Sequence, residues 1–159
     1  MKFIIASDIH GSAFWCGRLM DLVKKENPDK LILLGDLLYH GPRNDLPRDY
    51  CPKQVIPMLS EYKDIIIAVR GNCEAEVDQM VLPFPCLADF SQLLVDGKTF
   101  YLTHGHHHNP ENLPPLPEGS IFFKRSHPCK DRQSCKRNPL SESRQCIHSQ
   151  GRQQQLYNL

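Results

Sequence analysis

Apolar and polar positions along the first three quarters of the chain follow two alternating periods. Residues 2–7 form a short, β-rich apolar run. Across residues 13–26, Trp15, Leu19, Leu22 and Val23 recur near one helical face, and Asn27-Pro28-Asp29 stops that helix. A second apolar run, residues 30–34, ends in Gly35-Asp36. Gln54, Val55, Met58, Leu59 and Tyr62 predict a second helix with Pro57 as its weak point. The wholly apolar run of residues 65–69 reads as a central strand buried on both faces and ends in Arg70-Gly71-Asn72. Strand, helix, strand, helix, strand implies right-handed crossovers and a parallel sheet. Residues 91–95 and 99–103 flank Asp96-Gly97, a hairpin signal. The fold class expected is therefore α/β. No internal repeat is present.

The chemistry collects where the strands end. Asp8-Ile9-His10 follows the first strand, Gly35-Asp36 the second and Gly71-Asn72 the third, while Thr103-His104-Gly105-His106 follows the hairpin. Ligands of α/β sheets bind outside the carboxyl ends of the strands, so four loops are placed to converge. Asp8, His10, Asp36, Asn72 and His104 then form a set of carboxylate, amide and imidazole donors without a thiolate, which suits Mn²⁺, Fe²⁺ or Zn²⁺. One Asp shared between two ions would make a dinuclear centre for in-line phosphoryl displacement.

At these residues the chain resembles the calcineurin-like metallophosphoesterases, and within them the YfcE-type bacterial phosphodiesterases. The matching strings are Ser7-Asp8-Ile9-His10-Gly11, Leu34-Gly35-Asp36, Tyr39-His40-Gly41-Pro42-Arg43-Asn44, Val69-Arg70-Gly71-Asn72-Cys73, Leu102-Thr103-His104-Gly105-His106 and Asn109-Pro110-Glu111-Asn112-Leu113-Pro114. Each is short, but their order, spacing and strand-end placement together are specific, and they cover residues 1–121. The resemblance implies a two-sheet sandwich flanked by helices (αββα) and a two-metal site. Asp8 and His10 would hold one ion, Asp36 would bridge, and Asn72 and His104 would hold the other. It further implies hydrolysis of a small phosphodiester by a hydroxide held between the ions. Asp36, Asn72 and Cys73 would be the catalytic residues and His40 and Arg43 the substrate contacts, with His106 as an additional site candidate. Mn²⁺ is the first expectation for both ions, with Fe²⁺, Zn²⁺ or Ni²⁺ as alternatives. Cys73 stands where many relatives have His, and Glu74 replaces the more usual Asp. Cys at that position argues against leaving-group protonation, help that a diester with a good leaving group needs least.

Charge divides the chain. The whole of its 159 residues carries +1, but residues 1–119 hold 11 Lys+Arg against 16 Asp+Glu, and residues 120–159 hold 8 against 2. The overall balance argues against a general polyanion binder, nucleic acid included. No apolar run reaches the roughly 20 residues of a membrane span. The opening apolar run is too short for a signal peptide and is interrupted by Asp8. Seven scattered cysteines in such a chain read as reduced thiols in the cytoplasm. Homo-oligomerisation is left open.

The tail also departs from the family, whose pattern ends in a Gly-His-x-His motif that completes the metal shells. Arg125-Ser126-His127-Pro128-Cys129 can be encoded CGG TCA CAC CCA TGT, and dropping the first base gives Gly-His-Thr-His. The same shift turns residues 141–152 into Leu-Asn-Pro-Gly-Ser-Val-Ser-Ile-Pro-Lys-Gly, which looks like the family's C-terminal segment. These two matches predict that residues from about Lys124 onward come from a shifted reading frame, with the slip in the codons of Phe122 and Phe123. The domain reading is thus residues 1–121 as a truncated metallophosphoesterase domain and residues 122–159 as a basic, largely disordered tail, the C-terminal part of the fold being incomplete. Rival readings of the tail are a zinc knuckle of Cys129, Cys135, Cys146 and His148, whose spacings do not match the usual pairs, and a basic RNA-binding arm.

Bland readings stand beside the chemical ones. Asp8 and His10 could cap the helix beginning near Ala13, Asp36 could be a turn residue, and Asn72 after Gly71 is ordinary turn chemistry. His107 and His108 read as a solvated loop, Trp15 and Cys16 as core, and Glu76 and Asp78 as a solvated helix start. The rival function is a catalytically degraded protein-interaction module of the same fold; intact ligands at all five positions favour enzyme ancestry.

Overall fold

A computed structural model describes residues 1–109 and 111–125 and the backbone of residues 155 and 156. Strand β1 (Phe3–Ala6), helix α1 (Ala13–Glu26), strand β2 (Lys30–Leu33), helix α2 (Pro52–Ser60), strand β3 (Ile66–Ala68) and the short helix α3 (Glu76–Val81) come first. Strands β4 (Phe90–Val95), β5 (Lys98–Thr103), β6 (Ile121–Lys124) and β7 (Gln155–Leu156) follow. One sheet has the order β3-β2-β1-β7 and is parallel throughout; the other has the order β4-β5-β6, antiparallel at its hairpin and parallel at β6. The expected α/β class and parallel first sheet are both present.

Alternation along the parallel strands builds two cores. Ile4, Ala6, Leu31, Leu33, Ile66 and Ala68 face one way, onto Cys16, Leu19, Met20 and Val23 of α1 and Val55 and Leu59 of α2. Phe3, Ile5, Ile32 and Leu34 face the other way, onto Val95, Phe100, Leu102 and Phe123 of the second sheet. Helices, sheet and sheet thus stack in layers, the two-sheet sandwich expected, with helices on one outer face among the described residues and with β3, expected as a central strand, at the edge of its sheet. Asp96 and Gly97 both adopt positive φ (51° and 75°), the conformation of a type I′ hairpin turn.

Helix α1 starts on Ser12, whose hydroxyl accepts from the Trp15 amide, so neither Asp8 nor His10 is its cap. It ends on Asn27 in the left-handed conformation (φ 42°), a polar alternative to glycine. Two residues depart from expectation. Trp15 is 39% exposed, its ring against the edge of Phe14, because the helix turns Cys16 and Leu19 inward instead. Asp78 is buried rather than solvated, because its carboxylate accepts from the Ala75 amide at 2.7 Å and closes the first turn of α3.

Strand β6 crosses the boundary placed at residue 121. Phe122 stacks on Tyr101 and Phe123 on Phe100 across the β5–β6 ladder. Beyond Arg125, the tail readings (shifted frame, zinc knuckle of Cys129, Cys135, Cys146 and His148, basic arm) lie outside the described residues, apart from the β7 backbone. No described helix is long and apolar enough to cross a membrane.

Candidate metal centre

The loops after β1, β2, β3 and β5 meet at one end of the sandwich, and backbone hydrogen bonds zip the first two together. The Asp8 amide donates to the Gly35 carbonyl, His10 to Asp36 and Gly11 to Leu37, at 3.1, 2.8 and 2.8 Å. The ladder continues past the strand ends only because Asp8, His10 and Asp36 take positive φ (59°, 48° and 58°). Side chains other than glycine rarely adopt this region; Asp and His are among the better tolerated, and such residues gather at functional sites. Gly35 and Gly71 allow the second and third loops to touch. A Cβ on Gly35 would collide with the Gly71 backbone, and one on Gly71 would meet the Asp36 carboxylate and its amide.

Asp36 lies at the centre and is 1% exposed. Its Oδ1 accepts from the Cys73 amide at 2.9 Å, while its Oδ2 is buried without a hydrogen-bond partner among the described residues. Around Oδ2 stand the Nε2 atoms of His10 at 3.6 Å and of His104 at 3.4 Å. Each imidazole is oriented from its far side: His10 Nδ1 donates to the Tyr39 carbonyl at 2.8 Å and His104 Nδ1 to the Leu34 carbonyl at 2.6 Å. In the neutral ring that leaves Nε2 with its lone pair aimed inward, the arrangement typical of metal-binding histidine. His104 Nε2 also faces Asn72 Oδ1 at 3.1 Å. Two acceptors at that separation call for a cation or a proton between them, or for the amide turned to present its NH₂. His10 Nε2 lies 3.4 Å from Asp8 Oδ1, whose other oxygen accepts from Ser7.

The electrostatics divide the two imidazoles. The hydrogen bond to Asp8 raises the pKa of His10 against the opposing effect of burial. Burial lowers that of His104 despite the nearby Asp36, which keeps the ring neutral. Burial would push Asp8 up, but bonds from His10 and Ser7 and the charge of Arg125 outweigh it and hold its carboxyl at about 2. Burial, then the charges of Asp36, Glu74 and Asp8, push the Cys73 thiol up to about 11.

The orphaned Asp36 oxygen and the inward lone pairs fit a divalent cation. Two donor groups within 4.8 Å recur here: Asp8, Asp36 and His104, and His10, Asp36 and Cys73. The structure therefore brings together Asp8, His10, Asp36, Asn72, Cys73 and His104. His106 is adjacent, its ring 5.3 Å from that of His104, and its Nδ1 is buried without a partner among the described residues. Burial and then His107 and His104 lower its pKa to about 4. His40 packs against Tyr39 and Tyr50 on the loop whose Gly41 approaches the Cys73 sulfur; Arg43 on the same loop is exposed.

Sequence reasoning misses two residues. Buried Glu74 accepts from the Asp36 and Leu37 amides at 2.9 and 2.6 Å and from Gly71 at 2.5 Å, clamping two loops with one carboxylate. Its place directly after the third strand-end turn was the available signal. Arg125, following β6, puts Nη1 2.5 Å from Asp8 Oδ1; the sequence marks its position only as the start of the out-of-frame Gly-His-x-His match, not as a contact of Asp8.

The calcineurin-like phosphoesterase family model matches residues 1–150. The phosphodiesterase YfcE of Escherichia coli strain K12 is 47% identical over 122 residues, 77% of this chain and 66% of its own length. The same protein of E. coli O157:H7 matches equally. The chain thus spans just under two thirds of the length of the curated relatives it matches. The solved structure of YfcE, a phosphoesterase from E. coli, superposes with a TM-score of 0.72 at 47% identity, covering 74% of this chain and 65% of that one. With the motifs, the fold and a match along nearly its whole length, the chain belongs to the calcineurin-like phosphoesterase family.

Proposed function

We propose that this chain carries the reacting centre of a metal-dependent phosphodiesterase, with Asp8 and His10 holding one divalent ion, Asn72 and His104 a second, and Asp36 bridging them. The observation that carries the reading is the buried Asp36 Oδ2, unpartnered among the described residues, between two inward-facing imidazole nitrogens. A buried carboxylate oxygen without a partner is costly, and a cation removes that cost. Oxygen and imidazole donors favour Mn²⁺ first, with Fe²⁺, Zn²⁺ or Ni²⁺ as alternatives. When bound, the ions supply charge neutralisation and an activated water for in-line displacement at phosphorus.

The residues of the chain supply the rest. Tyr39 and Leu34 carbonyls orient His10 and His104, Glu74 fixes the backbone that presents Asp36, and the Cys73 amide donates to Asp36. Burial and the neighbouring carboxylates push the Cys73 thiol up to about 11, which disfavours the thiolate that a nucleophile needs. The substrate is a small phosphodiester, bound with the help of His40 and Arg43 beside the site. Residues from Lys124 belong to a shifted reading frame. Cytoplasmic residence fits Cys16, Cys51, Cys73 and Cys86, which are all free.

Mn²⁺ titration with a count of bound ions, together with turnover of a chromogenic phosphodiester, tests the reading. Metal bound by the wild-type protein should be lost in Asp36→Asn. Two ions retained by Asp36→Asn would show that the carboxylate does not bridge.

A further inference from the structure

The two halves of the centre are not equally open. Asp36 Oδ2 has no partner among the described residues, whereas both oxygens of Asp8 are engaged, Oδ2 by the Ser7 hydroxyl and Oδ1 by Arg125. Parallel pairing of β6 with β5 sets Lys124 beside Thr103, so the residue after β6 emerges at the same sheet end as His104. From there the Arg125 guanidinium reaches Asp8 Oδ1 at 2.5 Å, an oxygen that also lies 3.4 Å from His10 Nε2. The pair is only partly solvated, with side-chain exposures of 21% for Arg125 and 23% for Asp8. Charge-assisted hydrogen bonds shielded in this way are the stronger kind.

We propose that Arg125 is an internal counter-cation that competes with a metal ion for Asp8, leaving the Asp36–Asn72–His104 half of the centre to load first and the Asp8–His10 half to load only when the guanidinium withdraws. The proposal rests on the reading of Asp8 and Asp36 as metal ligands. The oxygen that Arg125 engages, Asp8 Oδ1, is the one that faces His10 Nε2 and that an ion shared with His10 would use. Binding is then sequential, with one tighter and one weaker ion, and the weakness of the second comes from a side chain of the chain itself.

Calorimetric Mn²⁺ titration, with electron paramagnetic resonance counting free ion, separates the outcomes in wild type, Arg125→Ala, Arg125→Gln, Arg125→Lys and Asp36→Asn. Thermal melting of each metal-free variant confirms folding, and Arg125→Gln keeps the side-chain length should Arg125→Ala melt early. Arg125→Ala and Arg125→Gln should tighten the weaker ion about tenfold, the scale of a lost charged hydrogen bond, and leave the tighter ion unchanged. Arg125→Lys should stay near wild type, because it keeps the charge. If the two neutral variants bind both ions as wild type does while Asp36→Asn loses them, Arg125 does not compete and this proposal fails alone. If Asp36→Asn binds Mn²⁺ as wild type does, the metal reading fails and this proposal fails with it.

Discussion

A residue other than glycine held in the left-handed region costs of order 1–3 kcal/mol, and the chain places Asp8, His10 and Asp36 there together. Such strain persists only where surrounding contacts enforce it, and Glu74 is the side chain that does so at Asp36. Its two oxygens take three backbone N–H groups, from Asp36, Leu37 and Gly71. Glu74→Gln turns one acceptor into a donor facing N–H groups in a buried space, which should lower stability by about 1–3 kcal/mol. It should also weaken Mn²⁺ binding by roughly 10–100-fold, the range for a lost partner of a ligand. Melting temperature and calorimetry read both effects; unchanged metal affinity would place Glu74 outside the support of the site. Asp36→Asn should be more severe than Asn72→Ala, since a bridging carboxylate serves both ions and an amide serves one; ion counts decide it. Cys73→Ala should leave substantial phosphodiester turnover in a protein whose site is complete, because the bond to Asp36 comes from the backbone amide. Trapping of a covalent phosphocysteine would overturn that account.

At the scale of elements, the site is made by strand ends that approach more closely than side chains allow. Gly35 and Gly71 are the contact point, and Gly71→Ala would set a methyl group against the Asp36 amide at 2.5 Å and against its carboxylate. The substitution should abolish metal binding and destabilise the sheet end while leaving helical content intact, which ion counting and circular dichroism distinguish. A fully metal-loaded Gly71→Ala protein would mean that the third loop moves freely of the second. These elements were legible because their signals are local: apolar runs of fixed period, a turn pair at Asp96-Gly97, and a donor residue after each run. Strand β6 was not, since four residues after a proline-rich stretch become a strand only through stacking on β5. Trp15 was misplaced for a related reason. A 14-residue helix with several apolar positions admits neighbouring faces, and the packing of Cys16, Leu19 and Val23 against β1 and β2 selects between them. Glu74 and Arg125 act over distances of 37 and 117 residues in sequence, where no periodicity points.

For the molecule as a whole, one core lies between helices and sheet and the other between the two sheets, and Phe123 of β6 belongs to the second. The residues that follow β6 therefore decide how the metal end of the sandwich is finished. As given, the next side chain is Arg125, a cation placed on a candidate ligand. Codons that can encode these residues, read one base along, would give Gly-His-Thr-His from that point, which would remove the guanidinium and supply two imidazoles. Both changes act in one direction, since a competing charge leaves and donors arrive. The 159-residue chain and a version restored by one base in the Phe122–Phe123 codons should therefore differ. The 159-residue chain should be poorly soluble, purify metal-poor because its second ion is weakly held, and be close to inactive, and the restored version should purify with two ions and hydrolyse a chromogenic phosphodiester. Loss of a metal ligand typically exceeds the 10–100-fold cost of losing a supporting partner, so the difference in affinity should be at least that large. Ions per chain and Mn²⁺-dependent turnover, measured side by side, test it. Equal turnover by the two would show that residues 124–159 do not impair the centre, and a gene in which no one-base change restores Gly-His-x-His would remove the shifted frame altogether.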